Sequence, residues 1–323
     1  MPRMPTTQPK NIKSQMKCPQ CSSQSVLDQE LDPLALAALY QEISLTVNRL
    51  LPTSQIQLYR CRCCSLGFFS PPIAGDEEFY NALALKDWYY SHTGKSEYAL
   101  AAKLIKSGDR VVDVGAGIGE FQKYVPSSAS FLGIELSPRA VEIAKGLGRN
   151  VCQMDINDSR HELETRFDVV TCFQVLEHLQ KPNLLVTSLI KLCKPNGLIV
   201  IAVPNNKSFL SKALNNALNL PPHHLLHWNK QSLFQLATQN NLHVESYIEE
   251  QLQDVHRIAY YCSIINSFLL NISGRNHKLV DYPVKNKFLS RQIGRLSKLL
   301  AITLPNPVAT GHTAIIVLRK AHG

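Results

Sequence analysis

Three groups of residues in this chain have the types and spacing for chemistry. The first is four cysteines set as two C-x-x-C pairs, Cys18/Cys21 and Cys61/Cys64. Two such turns bring four thiolates into a closed tetrahedron, the geometry of a structural zinc, with no position left open for catalysis. Cys63 is an extra thiol inside the second turn and an alternative ligand. Cys64 is preferred because Ser65 to Phe69 then follows as a strand. An iron–sulfur cluster or bare thiols are the other readings. The remaining cysteines, Cys152, Cys172, Cys193 and Cys262, are scattered. An odd total with one tight cluster fits metal binding in a reducing compartment better than a disulfide framework.

The second group combines glycines and acids. Asp113, Gly115, Gly117 and Gly119 form a D-x-G-x-G-x-G run after a short apolar strand. Glycines there permit a tight turn and bring backbone N–H groups close to a ligand. The spacing is not the G-x-G-x-x-G of dinucleotide binders. Asp113 would be unfavourable beside a pyrophosphate and favourable beside the ammonium group of an amino-acid moiety. Glu135 ends the next strand, where a carboxylate accepts hydrogen bonds from both hydroxyls of a ribose. Asp155 stands where a third strand ends and can accept from an adenine amino group. Ile134, Leu136 and Ile156 are available to sandwich the ring.

The third group is histidines. Glu177-His178 follows the fourth strand, and Pro221-Pro222-His223-His224, with His227 and Trp228 behind it, follows the fifth. Both places lie at the carboxyl edge of the sheet, where ligands bind in open α/β folds. An imidazole there can act as a base or orient an acceptor. The blander reading packs His178 behind the glycine loop and leaves His223 and His224 to shape their own loop.

The elements that position these groups follow from periodicity. Apolar strands are expected at 110–114, 130–134, 167–173, 198–203, 243–248 and 313–318, with helical stretches between them. That alternation predicts an α/β, Rossmann-like, doubly wound and mainly parallel sheet with an antiparallel C-terminal strand. The expected organisation is a disordered lead-in over 1–17 and a zinc-binding module over 18–75. A tyrosine-rich linker or lid follows over 76–96, and the main domain spans 97–323 with a helical insertion at about 250–305. Within the zinc module, residues 34–50 read as an inserted helix.

The runs VVDVGAGIGEF, GIELS, MDI, FDVVTCFQVLEHL and GHTAIIVL, in that order, resemble a class I S-adenosylmethionine-dependent methyltransferase over residues 97–320. The resemblance implies the fold, the cofactor and methyl transfer. It places Asp113, Gly115, Gly117 and Gly119 at the methionine end, Glu135 at the ribose and Asp155 at the adenine. VLEHL resembles the same segment of ubiquinone-pathway O-methyltransferases and many small-molecule relatives. Some of those have Glu where this chain has Gln174, so a metal site is not carried over. The cysteine segment resembles the N-terminal zinc-binding modules of some bacterial methyltransferases.

The resemblance leads to methylation of a hydroxyl on a small molecule or glycan, with His223, His224 and His178 as candidate catalytic residues. RNA methylation with the zinc module as an anchor is a second reading, and a non-catalytic cofactor-binding protein a third. No N-P-P-Y or D-P-P-Y motif of base amino-group methyltransferases is present. The net charge of +9 favours an anionic partner. Residues 275–298 carry seven Lys or Arg against the single acid Asp281. Helix 284–301 within that stretch reads as basic and amphipathic, with Phe288, Leu289, Ile293, Leu296, Leu299 and Leu300 on one side and the bases on the other. It is a candidate for an anionic membrane surface, and the expected location is cytoplasmic, peripheral to a membrane at most.

Overall fold

The computed structural model describes residues 16–86, 89, 95–156, 163–282 and 287–321. The lead-in reading therefore lies outside the described residues except at Met16 and Lys17. Lys17 bridges to Gln24, and Met16 accepts a 3.0 Å hydrogen bond from the Ser25 amide, so the chain is already paired there. Parts of the tyrosine-rich linker and of the basic stretch also lie outside them.

The cysteine segment builds a small antiparallel sheet from β1 (Ser25–Leu31), β2 (Ile56–Cys61) and β3 (Gly67–Ser70). The helix expected over 34–50 is shorter: α1 spans Pro33–Gln41. Asp32 caps it by accepting from the Leu34 amide, and Pro33 begins it with a pre-set φ. Ser44, with φ of 57°, then turns the chain, so Leu45 and Val47 enter the core from a loop. Helices α2 (Glu77–Ala84) and α3 (Ser96–Ala102) lead to the main sheet.

That sheet begins with β4 (Arg110–Val114), β5 (Ser130–Glu135) and β6 (Val151–Gln153), and α4 (Pro138–Gly146) lies between the last two. It continues with β7 (Phe167–Phe173), α5 (Pro182–Leu192) and β8 (Cys193–Pro204). A two-residue strand, β9 (Leu226–His227), precedes α6 (Lys230–Gln239). Asn229 and Ser232 close a reciprocal capping box on that helix. The chain ends in β10 (Leu242–Gln251), α7 (Arg257–Ile272), α8 (Lys287–Thr303) and β11 (Thr310–Lys320).

The spatial order is β10-β11-β8-β7-β4-β5-β6, with β11 antiparallel to both neighbours and the other pairings parallel. β7 and β8 read as near-continuous apolar runs because helices cover both faces of a parallel sheet. The chain reverses its winding between β4 and β7, and a ligand crevice forms outside the strand ends at such a switch point.

The two sheets are not separate bodies. β3 pairs antiparallel with β9, so the small sheet takes its fourth strand from the loop that follows β8. Cys18, Cys61, Cys64, Leu66 and Phe68 share one core with Val112, Val170, Ile201 and Trp228 of the main domain. A second core joins Leu36, Tyr40 and Phe69 to Phe79, Ala217 and Leu220.

Candidate functional site

The four sulfurs of Cys18, Cys21, Cys61 and Cys64 lie within 4.8 Å of one another. Cys18–Cys64, Cys21–Cys64 and Cys21–Cys61 are 3.7, 3.6 and 3.4 Å apart. A tetrahedral zinc with bonds of about 2.3 Å needs sulfur separations of about 3.8 Å, so the donor set fits that ion. The amides of Cys63 and Cys64 donate to the Cys61 sulfur at 3.3 and 3.4 Å, which suits a thiolate. Cys63 itself is exposed and apart from the cluster. The Cys64 sulfur beside it pulls the Cys18 thiol down to about 5, and the same contact pushes the Cys64 thiol up.

The knuckles grip the start of α6. The Gln20 side chain donates to Ser232 O at 2.8 Å, Gln231 to Cys63 O at 2.6 Å, and Asn229 to Ser65 O at 2.8 Å. On the other side of β9, the Tyr40 hydroxyl from α1 donates to Ala217 O or Leu220 O, each at 2.8 Å. The cysteine module therefore holds both ends of the loop that carries His223 and His224.

A cavity of about 1860 Å³ opens at the switch point. One end is the glycine loop after β4. Gly115 and Gly117 line it with φ of 78° and 53°, and a Cβ on Gly115 would lie 2.4 Å from Val175. Gly119 (φ 74°) is not on the cavity wall; it lets the loop pack against Val151, which a Cβ would meet at 2.8 Å. Glu135 points back across the loop. Its oxygens accept from the Gly117 amide and the Ser137 amide, both at 2.8 Å. That leaves lone pairs on both oxygens for a ribose. Asp155 lines the next wall with Ile134, Leu136, Met154 and Ile156. Leu136 is 61% exposed there, an apolar surface without a protein partner and suited to an adenine face. The loop and this carboxylate thus fit an adenosyl amino acid.

Asp113 differs from the sequence expectation. It is buried beneath the loop and is not on the cavity wall. Thr171 Oγ1 on β7 donates to its carboxylate at 2.7 Å, and burial pushes it up to about 7. A wall carboxylate at this end is Glu97, from the first turn of α3, buried and raised by desolvation. Gln174 and Glu250 lie beside it on the same wall. Glu97 belongs to no motif, and only the fold brings it to the glycine loop.

The other end of the cavity gathers Glu177, His178, His223 and His224. Each imidazole has Nδ1 against a carbonyl oxygen: His178 on His223 O at 2.5 Å, His223 on Leu218 O at 2.8 Å, and His224 on Asn219 Oδ1 at 3.2 Å. Carbonyls only accept, so the protons sit on Nδ1; Nε2 of His223 meets the Tyr89 hydroxyl at 3.5 Å, and Nε2 of His178 and His224 faces Glu177. Glu177 Oε1 lies 3.9 Å from His178 Nε2 and 4.0 Å from His224 Nε2, and neither of its oxygens has a hydrogen-bond partner among the described residues. The three imidazoles, within 4.8 Å of one another, also have the donor types for a divalent transition metal.

Burial dominates the electrostatics of this cluster. Desolvation pushes Glu177 up to about 8, His223 down to about 3, and His178 and His224 downward. The sequence suggested an imidazole titrating near neutral pH; burial of the rings keeps all three uncharged there and makes Glu177 the strongest base. His227 is structural: it bonds Asn219 O at 2.8 Å and meets Phe69 edge-on.

Comparison with known proteins agrees with this geometry. Residues 89–247 match a family described as Methyltransferase domain. The chain is similar to a mitochondrial ubiquinone biosynthesis O-methyltransferase of Schizosaccharomyces pombe, 34% identical over 104 residues, covering 30% of this chain and 38% of that protein. The corresponding enzyme of Xanthomonas oryzae pv. oryzae is 31% identical over 142 residues, 39% of this chain and 59% of that protein. The chain thus spans from 38% to 59% of the length of these curated relatives. Its fold is similar to a chain in the complex between the Haloferax volcanii Trm112 methyltransferase activator and a methyltransferase. That likeness has a TM-score of 0.52 at 16% identity and covers 77% of this chain and 99% of that one.

Two outcomes follow. Replacing Glu135 with Ala removes the ribose acceptor, and calorimetry should read a loss of roughly 10–100-fold in S-adenosylmethionine affinity; unchanged affinity removes the assignment. Elemental mass spectrometry should find one zinc per chain, absent from Cys18→Ser; iron, or full metal in the variant, contradicts the four-sulfur site.

Proposed function

Taking residues 89–247 as a methyltransferase domain of the S-adenosylmethionine-dependent class, we propose that the chain moves the methyl group to a hydroxyl of a small molecule or glycan. The observation that carries this reading is the dry cluster of Glu177, His178, His223 and His224 in the same cavity as the glycine loop. The similarity to O-methyltransferases supports a hydroxyl acceptor. Four cysteine thiolates hold a structural zinc in this reading, with no part in the chemistry.

When bound, the cofactor supplies an electrophilic methyl on a cationic sulfonium. The glycine loop and Glu135 fix its adenosyl end, and Glu97 takes the ammonium role first expected of Asp113. The histidine end would hold the acceptor hydroxyl in the same cavity as the glycine loop, and that positioning would supply much of the rate. Uncharged imidazoles present lone pairs to the hydroxyl without repelling the sulfonium. The hydroxyl proton would pass to an Nε2 and settle on Glu177, the strongest base of the cluster, leaving the acceptor oxygen as the nucleophile.

The test is methyl transfer from labelled cofactor into cell-extract fractions, with the product sorted by solvent partition, glycosidase and nuclease. Label in a nuclease-resistant product is expected; label released by nuclease moves the acceptor to RNA. With that fraction as substrate, turnover should climb as pH rises through about 8, where Glu177 becomes ionised. Glu177→Gln should flatten the climb and lower turnover by roughly 10²–10⁴-fold. An unaltered pH profile in that variant rejects Glu177 as the proton acceptor.

A further inference from the structure

The α7–α8 hairpin presents a surface that the proposed chemistry does not use. Among the described residues, twelve of the twenty exposed large apolar side chains lie between Val255 and Val308. Apolar residues scattered singly over a surface are ordinary, but a concentration of this kind marks an interaction face. On α7, Ile264, Phe268 and Ile272 are spaced by four and form one exposed line.

On α8 the sequence pattern put the apolar residues on one side and the bases on the other. The buried line is instead Ile293 and Ser297. Phe288, Leu299 and Ile302 are 72%, 56% and 71% exposed. At 3.6 residues per turn these three share an arc of roughly 60° with Arg295. Arg291 and Lys298, also exposed, border that arc on its Ile302 side. Greasy and cationic side chains are therefore mixed on the outward face. A solvated basic face has no use for the phenylalanine and isoleucine, whereas the boundary between headgroups and acyl chains accommodates both kinds.

The charge is in surplus. Arg275, Lys278, Arg291, Arg295 and Lys298 enter none of the ion pairs given for the described residues, and the pair on this hairpin is Arg257 with Asp254 at 3.6 Å. A second copy of the chain would bring the same positive face against itself, which opposes self-association. Nucleic acid would satisfy the charge and leave the apolar line in water. We infer that the α7–α8 hairpin docks this chain on an anionic lipid surface, with Phe268, Ile272, Phe288, Leu299 and Ile302 entering the interface and the Arg and Lys side chains meeting the headgroups. The opposite side of the hairpin, through Ala259, Ser263 and Asn266, walls the acceptor cavity, so the docked chain holds that cavity beside the bilayer.

Flotation of the full chain tests this independently of activity. Vesicles of phosphatidylcholine alone, and of phosphatidylcholine with phosphatidylglycerol, are each used at low and moderate salt. Binding should appear with the anionic vesicles only and weaken as salt rises. Phe288→Ser/Leu299→Ser/Ile302→Ser should lower it by roughly tenfold or more at both salts, and Arg291→Glu/Arg295→Glu/Lys298→Glu should abolish it. Unchanged cofactor affinity in both variants shows that they fold. Equal binding by the variants, or no binding by the wild type, overturns the proposal. So does retention on structured RNA without vesicle binding, or a dimer that dissociates in the serine variant without vesicle binding.

Discussion

The pairing of β3 with β9 is the contact on which the candidate site depends. Only two residue pairs make it, Gly67 with His227 and Phe68 with Leu226, yet it stitches the cysteine module to the loop that carries the histidines. The approach is close: a Cβ on Gly67 would lie 2.9 Å from the His227 Cβ, so glycine is needed there. Adjoining backbone bonds extend the seam, from Phe69 N to Leu225 O at 3.1 Å and from Leu225 N to Glu177 O at 2.7 Å. Through that last bond the loop, the strand pairing and the buried carboxylate form one rigid unit. A two-residue strand cannot hold such a loop alone, and the sulfur cluster and the Tyr40 contacts supply the rest.

Rigidity of this kind permits the electrostatics. An ionisable carboxyl with no hydrogen-bond partner is costly in a dry pocket, and three depressed imidazoles around it add to the cost. The arrangement persists because each ring is fixed through its Nδ1 and the loop backbone is tied at both ends. Strain of this sort gathers where a site must be ready for a ligand. At the opposite end of the cavity, Glu135 is already organised by two amides, so the glycine-loop end is preformed as well.

Much of this was legible in the sequence. Strand ends fall where apolar runs stop, and the glycine run, Glu135 and Asp155 each follow one, so their arrival on one cavity edge could be read directly. The cysteine spacing likewise singled out the four sulfurs that cluster and set Cys63 aside. Other features depend on tertiary structure. Asp113 precedes the loop and looked ligand-facing, but Thr171 on the neighbouring strand holds it inward. Glu97 comes from a helix outside every motif. A strand as short as Leu226–His227 leaves no periodic trace, so the union of the two sheets was hidden. Burial lowered the histidines, and no local pattern reports that. The α8 pattern separated an apolar side from a basic one, whereas in the fold Ile293 and Ser297 are buried and Phe288 and Ile302 stand outward beside the bases.

Hydrogen exchange on the chain before and after chelation of the metal proposed at the four sulfurs tests the central claim, that the cysteine module clamps the loop carrying His223 and His224. Two amides report it: Leu225, bonded to Glu177 O, and Phe69, bonded to Leu225 O. The account predicts that removing zinc accelerates exchange at both while the amides of β4 and β5 stay protected and cofactor still binds. Unchanged protection at Leu225 and Phe69 after full removal of the metal would contradict it.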